Sequence, residues 1–382
     1  MNRFLAAALA CSTCTCLLAV AGLPAGDTKK PGPDAATWNK VVDKAVDYLK
    51  GTQQPSGGWS TDKTPGVTGV VLTGLLRSGR VTPNDPGAER ALKYIESLVD
   101  PKHKHIAGKG AKVQLQNYVT SINVMALVQA NRSDKYRAII GDAVEFLKKL
   151  QWDESEGKTP QDPYFGGAGY DSKSRPDLSN TQTFLDALKA AGVAADDPAL
   201  KKALVFVSRC QNLKGETNDQ PWAGKINDGS FIYTPATGGV TKVIDEPNAD
   251  GSLPGYGSMT YAGIKSLIYC GVSRDDPRIK KAYEWVRHNY SVDANAGMPG
   301  KRADWGLYYY YHTMAKCLDT LGVDHVEDAG GKKHDWRKDI TLALAKRQRS
   351  DGSWVGDAHW MEGDPNLVTG YALMALSYCR PR

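Results

Sequence analysis

The sequence has no long uninterrupted apolar run and no block of charge of one sign. Its 48 lysine and arginine residues and 42 aspartate and glutamate residues leave a formal net charge of +6, spread along the chain. Nucleic-acid-binding proteins cluster basic residues on one face, so we expect no nucleic-acid partner. Calcium loops are not evident, and no glycine-rich loop follows a predicted strand as a dinucleotide fold requires. The sequence therefore predicts no cofactor.

Cysteine is also scarce, with seven residues in 382, three of them among the first 16. The other four are Cys210, Cys270, Cys317 and Cys379, too widely spaced to suggest a metal knuckle. We interpret them as small buried hydrophobic residues. One disulfide is the alternative in an exported protein, and its pairing cannot be deduced from spacing.

The first 25 residues differ from the rest of the chain. Arg3 precedes an apolar run at 4–10, and a second run ends in Ala19-Val20-Ala21. This small-x-small ending is typical of an export signal cleaved after Ala21 or near Ala25. The pattern predicts a periplasmic or extracellular protein.

Two alternatives to a cleaved signal are lipid attachment at Cys11 or Cys16 and an uncleaved membrane anchor. An anchor is disfavoured because the apolar stretch is short and interrupted by hydroxyl residues. Beyond this segment we predict no membrane association. We divide the chain into an export signal at 1–25, a linker at 26–40 and one repeat domain at 41–382.

Six charged amphipathic segments alternate with six nearly uncharged apolar segments. The charged segments lie at 44–50, 89–95, 142–148, 201–207, 280–286 and 337–343, and the apolar ones at 67–79, 118–131, 178–192, 257–271, 308–322 and 366–379. A helix with a charged stripe keeps one face in water, whereas a helix that is apolar all round is buried all round. The repeat therefore predicts an all-α fold of six helix pairs, with the charged helices outside. Since neither end carries an obviously polar capping repeat, we expect a closed (α/α)6 toroid.

The joints within pairs share glutamine, glycine and an aromatic residue. The segments at 53–59 and 348–354 match best, and looser versions begin at Gln151 and Gln211. We interpret the glutamine as a partner for unpaired groups at helix ends. The glycine makes the turn, and the aromatic ring fills the gap between adjacent pairs.

The pattern Gln-x-x-x-Gly-x-Trp at the end of an outer helix resembles the repeats of squalene and oxidosqualene cyclases and of protein prenyltransferase β-subunits. The resemblance covers residues 41–379 and implies the toroid fold. The resemblance does not specify one function, because proteins with that fold include cyclases, prenyltransferases and proteins without catalysis.

Cyclases of the squalene–hopene type carry Asp-x-Asp-Asp-Thr, whose middle aspartate protonates a double bond. The matching segment here is Asp177-Leu178-Ser179-Asn180-Thr181. A serine hydroxyl cannot protonate an alkene, so the resemblance implies a diverged terpenoid-type enzyme that lacks the protonating aspartate. Asp177 is a candidate catalytic residue, and a helix N-cap is its alternative role.

Prenyltransferases bind zinc through Asp, Cys and His at inner-helix starts, and Tyr311-His312-Thr313 resembles the His-bearing segment. The place expected for the other two ligands, 255–260, contains neither Asp nor Cys. Catalytic zinc takes three protein ligands, so we expect no metal. His312 and Asp304 are candidate catalytic residues, and a hydrogen-bonded structural histidine is the alternative for His312.

Aromatic residues with a polar edge dominate, with 18 tyrosines and 9 tryptophans against 6 phenylalanines. We predict ligand-binding side chains at Gln182, Tyr256, Tyr261, Trp305, Tyr308 and Trp360. They lie near inner-helix starts, where unpaired amides and the positive dipole end attract polar groups. Such residues suit an apolar or aromatic-stacking small molecule, an isoprenoid or a glycan.

Two further functions stay open. One is a non-catalytic toroid that binds a ligand or a partner. The other is a carbohydrate-active (α/α)6 enzyme, which needs a carboxylate pair. Asp171 with Asp177, or Asp304 with Asp364, are the candidate pairs.

Overall fold

The computed structural model describes residues 31–110 and 113–382. The predicted export signal, its cleavage sites and Cys11 and Cys16 lie outside these residues, and the division of the chain at 25 and 40 stays a prediction. Within the described ranges, no helix has both the length and the apolar character needed to cross a bilayer.

In the part of the chain that the structure describes, twelve helices alternate between an outer and an inner ring. The outer helices are α1 (Ala35–Gly51), α3 (Pro86–Ser97), α5 (Ser133–Lys148), α7 (Pro198–Arg209), α10 (Pro277–His288) and α12 (Trp336–Arg347). The inner helices are α2 (Gly66–Ser78), α4 (Gln116–Gln129), α6 (Leu178–Ala190), α9 (Gly257–Tyr269), α11 (Leu307–Leu321) and α13 (Pro365–Tyr378). A short helix α8 (Ala223–Ile226) lies in the α7–α9 connection, and an antiparallel hairpin, β1 (Val326–Glu327) and β2 (Lys333–His334), lies between α11 and α12.

The rings are closed. Each inner helix contacts the next along the chain, and α13 contacts α2; α12 likewise contacts α1. The predicted all-α (α/α)6 toroid is therefore confirmed.

Burial separates the two rings as the charge pattern predicts. In α9 every residue from Gly257 to Leu267 is buried, whereas α3 buries Ala88, Ala91, Leu92 and Ile95. Those four follow the i, i+3, i+4, i+7 spacing of one helix face. The outer helices thus cover the inner ring with one apolar stripe each.

The joint glutamines connect neighbouring pairs. Each donates its side-chain amide to a glycine carbonyl in its own joint and to a carbonyl near the start of the next outer helix. The acceptors are Gly57 and Gly87 for Gln53, Gly166 and Ala199 for Gln151, Gly229 and Arg278 for Gln211, and Gly352 and Val41 for Gln348. Because Val41 belongs to α1, the last glutamine closes the ring.

The joint tryptophans link the two helices of one pair. The indole nitrogen of Trp59 donates to the carbonyl of Leu49 in α1, at 2.8 Å, and its backbone N–H donates to Oγ1 of Thr68 in α2. Trp354 repeats both bonds with Leu344 and Thr369. Both rings are fully buried, so these residues are structural.

The four cysteines of the repeat domain are buried and unpaired. Burial raises the pKa of each thiol, which keeps it protonated. Their interpretation as small hydrophobic residues is confirmed, and no disulfide joins cysteines in the described ranges.

Candidate functional site

A cavity of about 330 Å³ lies at the N-terminal ends of the inner helices. All six inner helices line it, because each points its first turns toward the same end of the toroid. The inner helices contribute Gly66, Val67, Val70, Tyr118, Val119, Ile122, Ser179, Ser258, Met259, Tyr309, Leu367 and Tyr371. The joints contribute Thr64, Leu115, Tyr170, Tyr233, Lys242, Tyr256, Gly306, Trp360, Met361 and Glu362. Aliphatic and aromatic groups therefore surround a few polar ones.

A cluster of hydroxyl groups crosses one side of the cavity. The hydroxyl of Ser179, at the start of α6, is hydrogen-bonded to that of Tyr118 and lies 3.0 Å from Oη of Tyr309. The Nε2 group of Gln182 donates to the same Tyr309 oxygen at 2.9 Å. Burial raises the pKa of both tyrosines, so the cluster stays neutral and can donate or accept a hydrogen bond.

Glu362 is the one carboxylate in the lining formed by the described residues. Its Oε1 accepts the backbone N–H groups of Tyr308 and Tyr309 at 3.0 and 2.8 Å, so it caps the start of α11 from another helix pair. Burial raises its pKa to about 7, against the backbone hydrogen bonds, which lower it. A carboxyl group with this pKa changes its charge near neutral pH.

Glu362→Gln is expected to change how stability depends on pH. The folded protein holds the Glu362 proton more tightly than the unfolded chain, whose carboxyl has the ordinary value of 4.5. Stability from this group is therefore full below about pH 4.5 and is lost as pH rises to about 7, by roughly 3 kcal/mol. Glutamine cannot ionise, so the free energy of unfolding of the variant should gain this amount relative to wild type between pH 5 and 8, as measured by urea denaturation.

Glu284→Gln is the control for this experiment. Glu284 is exposed, and its pKa lies below the ordinary value because Lys281 hydrogen-bonds to it. Its replacement should leave the pH profile between 5 and 8 parallel to wild type. Parallel profiles for Glu362→Gln as well would contradict a raised pKa at Glu362.

Lys242 brings the one cationic side chain to the lining formed by the described residues. Its Nζ lies 4.6 Å from the centre of the Tyr233 ring, and burial lowers its pKa. Such a partly buried ammonium group favours an anionic or oxygen-rich ligand group.

Trp360 lines the cavity and belongs to a cluster of three aromatic rings. The Trp305 ring stacks on His359 at 3.8 Å and meets Trp360 edge-on at 6.0 Å. Trp360 has a left-handed backbone (φ 55) and lies against Gly306, where an added Cβ would be 2.7 Å from its ring. The absence of a side chain at Gly306 thus lets the Trp360 ring lie against this glycine, and both line the cavity.

The three predicted catalytic residues lie apart from the cavity lining. Asp177 caps α6 by accepting the N–H of Asn180 at 2.8 Å, and burial raises its pKa. His312 lies one turn deeper in α11 than Tyr309 and stacks on Tyr371. Asp304 is exposed on the joint before α11. The structure does not bring these three into one cluster, and their catalytic role stays a prediction.

The six predicted ligand-binding residues fall into two groups. Tyr256 and Trp360 line the cavity. The other four do not line it. Gln182 donates a hydrogen bond to Tyr309, and Tyr261 packs on Tyr310 inside the core. Trp305 stacks on His359, and Tyr308 lines a separate surface depression with Asp304 and Arg347. Neither predicted carboxylate pair lies in the lining.

Sequence reasoning passed over Glu362, Lys242 and Tyr309. Glu362 lies in the joint that supplied Trp360, but it caps a helix more than fifty residues earlier, so no local spacing reveals it. Lys242 lies in the long α7–α9 connection, where the sequence has no periodic pattern. An acidic residue in an aromatic-rich joint was the available signal for Glu362.

No family model matches the chain. A squalene–hopene cyclase from Bradyrhizobium diazoefficiens is 22% identical over 204 residues, which cover 53% of this chain and 25% of the cyclase. The match thus spans about a quarter of the length of that curated relative.

Solved structures of two kinds share the fold. The type II terpene cyclase MstE from Scytonema, as an apo variant, has a TM-score of 0.56 at 13% identity, over 91% of this chain and 98% of the cyclase. A second variant of it, in complex with the substrate geranylgeranyl dihydroxybenzoate, has a TM-score of 0.52 at 13% identity and the same coverage. A glycosidase in complex with glucose has a TM-score of 0.51 at 13% identity, over 90% and 97% of the two chains. The chain therefore has a terpenoid cyclase-like α/α toroid, and the resemblance seen in its repeats is confirmed.

Proposed function

We propose that the central cavity binds a small molecule with an isoprenoid-like apolar body and an oxygen-rich or acidic head, and that Glu362 exchanges a proton with that head. The single observation that carries the proposal is one buried carboxyl group in an otherwise mainly apolar and aromatic cavity. As the leader sequence predicts, we place this activity outside the cytoplasm.

The apolar body is favoured by the side chains that surround most of the cavity. Val67, Val70, Val119, Ile122 and Met259 offer no hydrogen bonds, so a sugar ring there would lose the partners of its hydroxyl groups. A cavity of about 330 Å³ suits a small ligand. One structural neighbour holds a geranylgeranyl compound with a dihydroxybenzoate head, which is a ligand of this general form.

The polar head is assigned to the charged and hydroxyl groups of the lining. Lys242 can pair with an anionic oxygen, and the hydroxyls of Ser179 and Tyr309 can donate to or accept from a neutral one. The start of α11 adds the positive end of a helix dipole beside Glu362.

The pKa of Glu362 limits the chemistry. An acid with a pKa of about 7 is far too weak to protonate an isolated alkene, but it suits proton transfer to or from an oxygen near neutral pH. We therefore propose general acid–base chemistry at an oxygen-bearing carbon, or binding without turnover, in place of polyene cyclisation.

A glycosidase is the weaker alternative function. Glycoside hydrolysis uses two carboxyl groups on either side of the scissile bond. The described lining offers Glu362 alone, and Asp177 is occupied as a helix cap. Because one structural neighbour is a glycosidase in complex with glucose, the binding experiment also includes a glycan.

Ile122→Trp is expected to weaken isoprenoid binding at least tenfold. Ile122 is half-buried and faces the cavity, so a larger ring there fills the space that the ligand needs. Farnesoic acid and farnesol should each raise the melting temperature of wild type, the acid more strongly because of Lys242. Lys242→Met should remove the preference for the acid and keep binding of the alcohol.

Leu342→Trp is the matched control, since Leu342 is exposed on outer helix α12 and the same ring is added far from the cavity. It should bind both ligands like wild type. If maltotriose raised the melting temperature and the isoprenoids did not, the glycosidase hypothesis would be favoured. An unchanged response in Ile122→Trp would place binding elsewhere.

A further inference from the structure

The joint between α3 and α4 differs from the joints that carry glutamine and glycine. It contains neither the bridging glutamine nor the close-packed glycine, although its Ile106 N–H still donates to Oγ1 of Thr120 as the other joints do. In their place stands the segment Asp100-Pro101-Lys102-His103-Lys104-His105.

This segment brings three metal-binding side chains together. One ligand atom each from Asp100, His103 and His105 lies within 4.8 Å of the others, and Asp100 Oδ2 is 3.0 Å from Nδ1 of His103. Two ligands about 2.1 Å from a tetrahedral zinc ion lie about 3.4 Å apart. A shift of a few tenths of an ångström would therefore admit an ion between these two atoms.

The backbone holds the three side chains in place. The N–H of Asp100 donates to the carbonyl of His105 at 2.9 Å, and Lys104 N–H donates to the carbonyl of Asp100 at 2.7 Å. Lys104 has a left-handed backbone (φ 66), so the rings on either side of it face the same way, at an interplanar angle of 11°. The Lys104 ammonium pairs with Asp142 of α5.

Two of the three side chains are largely buried. Asp100 and His105 are 8% and 2% exposed, whereas His103, which pairs with Asp100, is open to solvent. Two imidazoles and a carboxylate form a donor set that suits zinc.

We propose that Asp100, His103 and His105 form a site for a divalent transition metal, zinc above all, with water completing the coordination. The His105 ring also packs edge-on against Phe146 of α5, at 5.1 Å. An ion bound there would therefore fix the orientation of a ring that packs on the next outer helix. The site is independent of the function proposed for the central cavity.

Zinc titration of the purified metal-free protein, followed by calorimetry, tests the site. We expect one equivalent to bind, and Co²⁺ to give the visible absorption of a four-coordinate ion. His103→Gln should weaken zinc binding at least tenfold while leaving the fold intact, because His103 is exposed. Asp100→Asn keeps an oxygen for the backbone N–H groups of Lys102 and His103 and should weaken binding as strongly.

His359→Gln is the control, since His359 and Asp357 form a second His–Asp pair that has no third ligand among the described residues. This variant should bind zinc like wild type. The proposal is overturned if wild type binds no zinc, if His103→Gln and Asp100→Asn bind it unchanged, or if His359→Gln weakens binding equally.

Discussion

Gly352→Ala is expected to lower the free energy of unfolding by about 4 kcal/mol. Gly352 has a left-handed backbone (φ 90), and an added Cβ would lie 2.2 Å from the carbonyl oxygen of Lys44 in α1. The last helix pair would therefore have to move away from the first, which would also lengthen the Gln348 bond to Val41. Urea denaturation monitored by circular dichroism measures the loss.

Gly331→Ala separates backbone strain from the collision. Gly331 has nearly the same backbone (φ 83), in the loop between β1 and β2, with nothing within 4 Å of an added Cβ. It should lose about 1–2 kcal/mol, the cost of the left-handed conformation alone. Equal losses in the two variants would mean that the ring does not close tightly at Gly352.

The same glycine recurs around the ring, which explains why the fold was predictable. Added Cβ atoms at Gly57, Gly166 and Gly229 would lie 1.9–2.5 Å from backbone atoms of Arg90, Lys202 and Lys281, each in the next outer helix. Each of these joints therefore packs closely against the next outer helix through a glycine at the same position of the motif. Because this motif recurs in the sequence, the helix pairs and the ring closure could be predicted.

The site could be predicted less well, because it depends on contacts between repeats. Tyr309 lines the cavity, whereas His312 lies one turn deeper in α11 and Tyr308 lines another surface depression. Which face of the helix each residue occupies cannot be read from the sequence here, because four consecutive tyrosines give no amphipathic pattern. Glu362 caps α11 from the joint before α13. The sequence predicted that ligand-binding residues lie near the inner-helix starts, but not which side chains face the cavity.

A buried ion cluster joins three inner helices near His312. Asp186 of α6 accepts from Lys265 of α9 at 2.6 Å and pairs with Lys316 of α11 at 2.8 Å. Burial alone would raise the pKa of Asp186, but the two ammonium groups outweigh it and hold the value at about 2. Burial lowers the pKa of Lys265 to about 8. His312 is neutral here, since burial and the Lys316 charge hold its pKa well below the ordinary value.

Asp186→Asn is expected to destabilise the protein by about 3–5 kcal/mol, because it leaves two buried ammonium groups without a counter-charge. Asp142→Asn, which breaks the exposed pair with Lys104, should cost less than about 1 kcal/mol. The comparison by urea denaturation at pH 7 tests whether burial makes the difference.

The pH dependence of Asp186→Asn gives a sharper test of the same cluster. In wild type the folded state binds the Lys265 proton less tightly than the unfolded chain, so stability from this group rises with pH between about 8 and 10.5. Without Asp186 the folded pKa falls further, so this gain should begin below pH 8 and be larger. Adding Lys316→Met should recover part of the loss at pH 7, because one of the two repelling charges is gone. A loss that neither high pH nor Lys316→Met reduces would show that Asp186 acts through its hydrogen bonds, and that charge is not what joins the three inner helices.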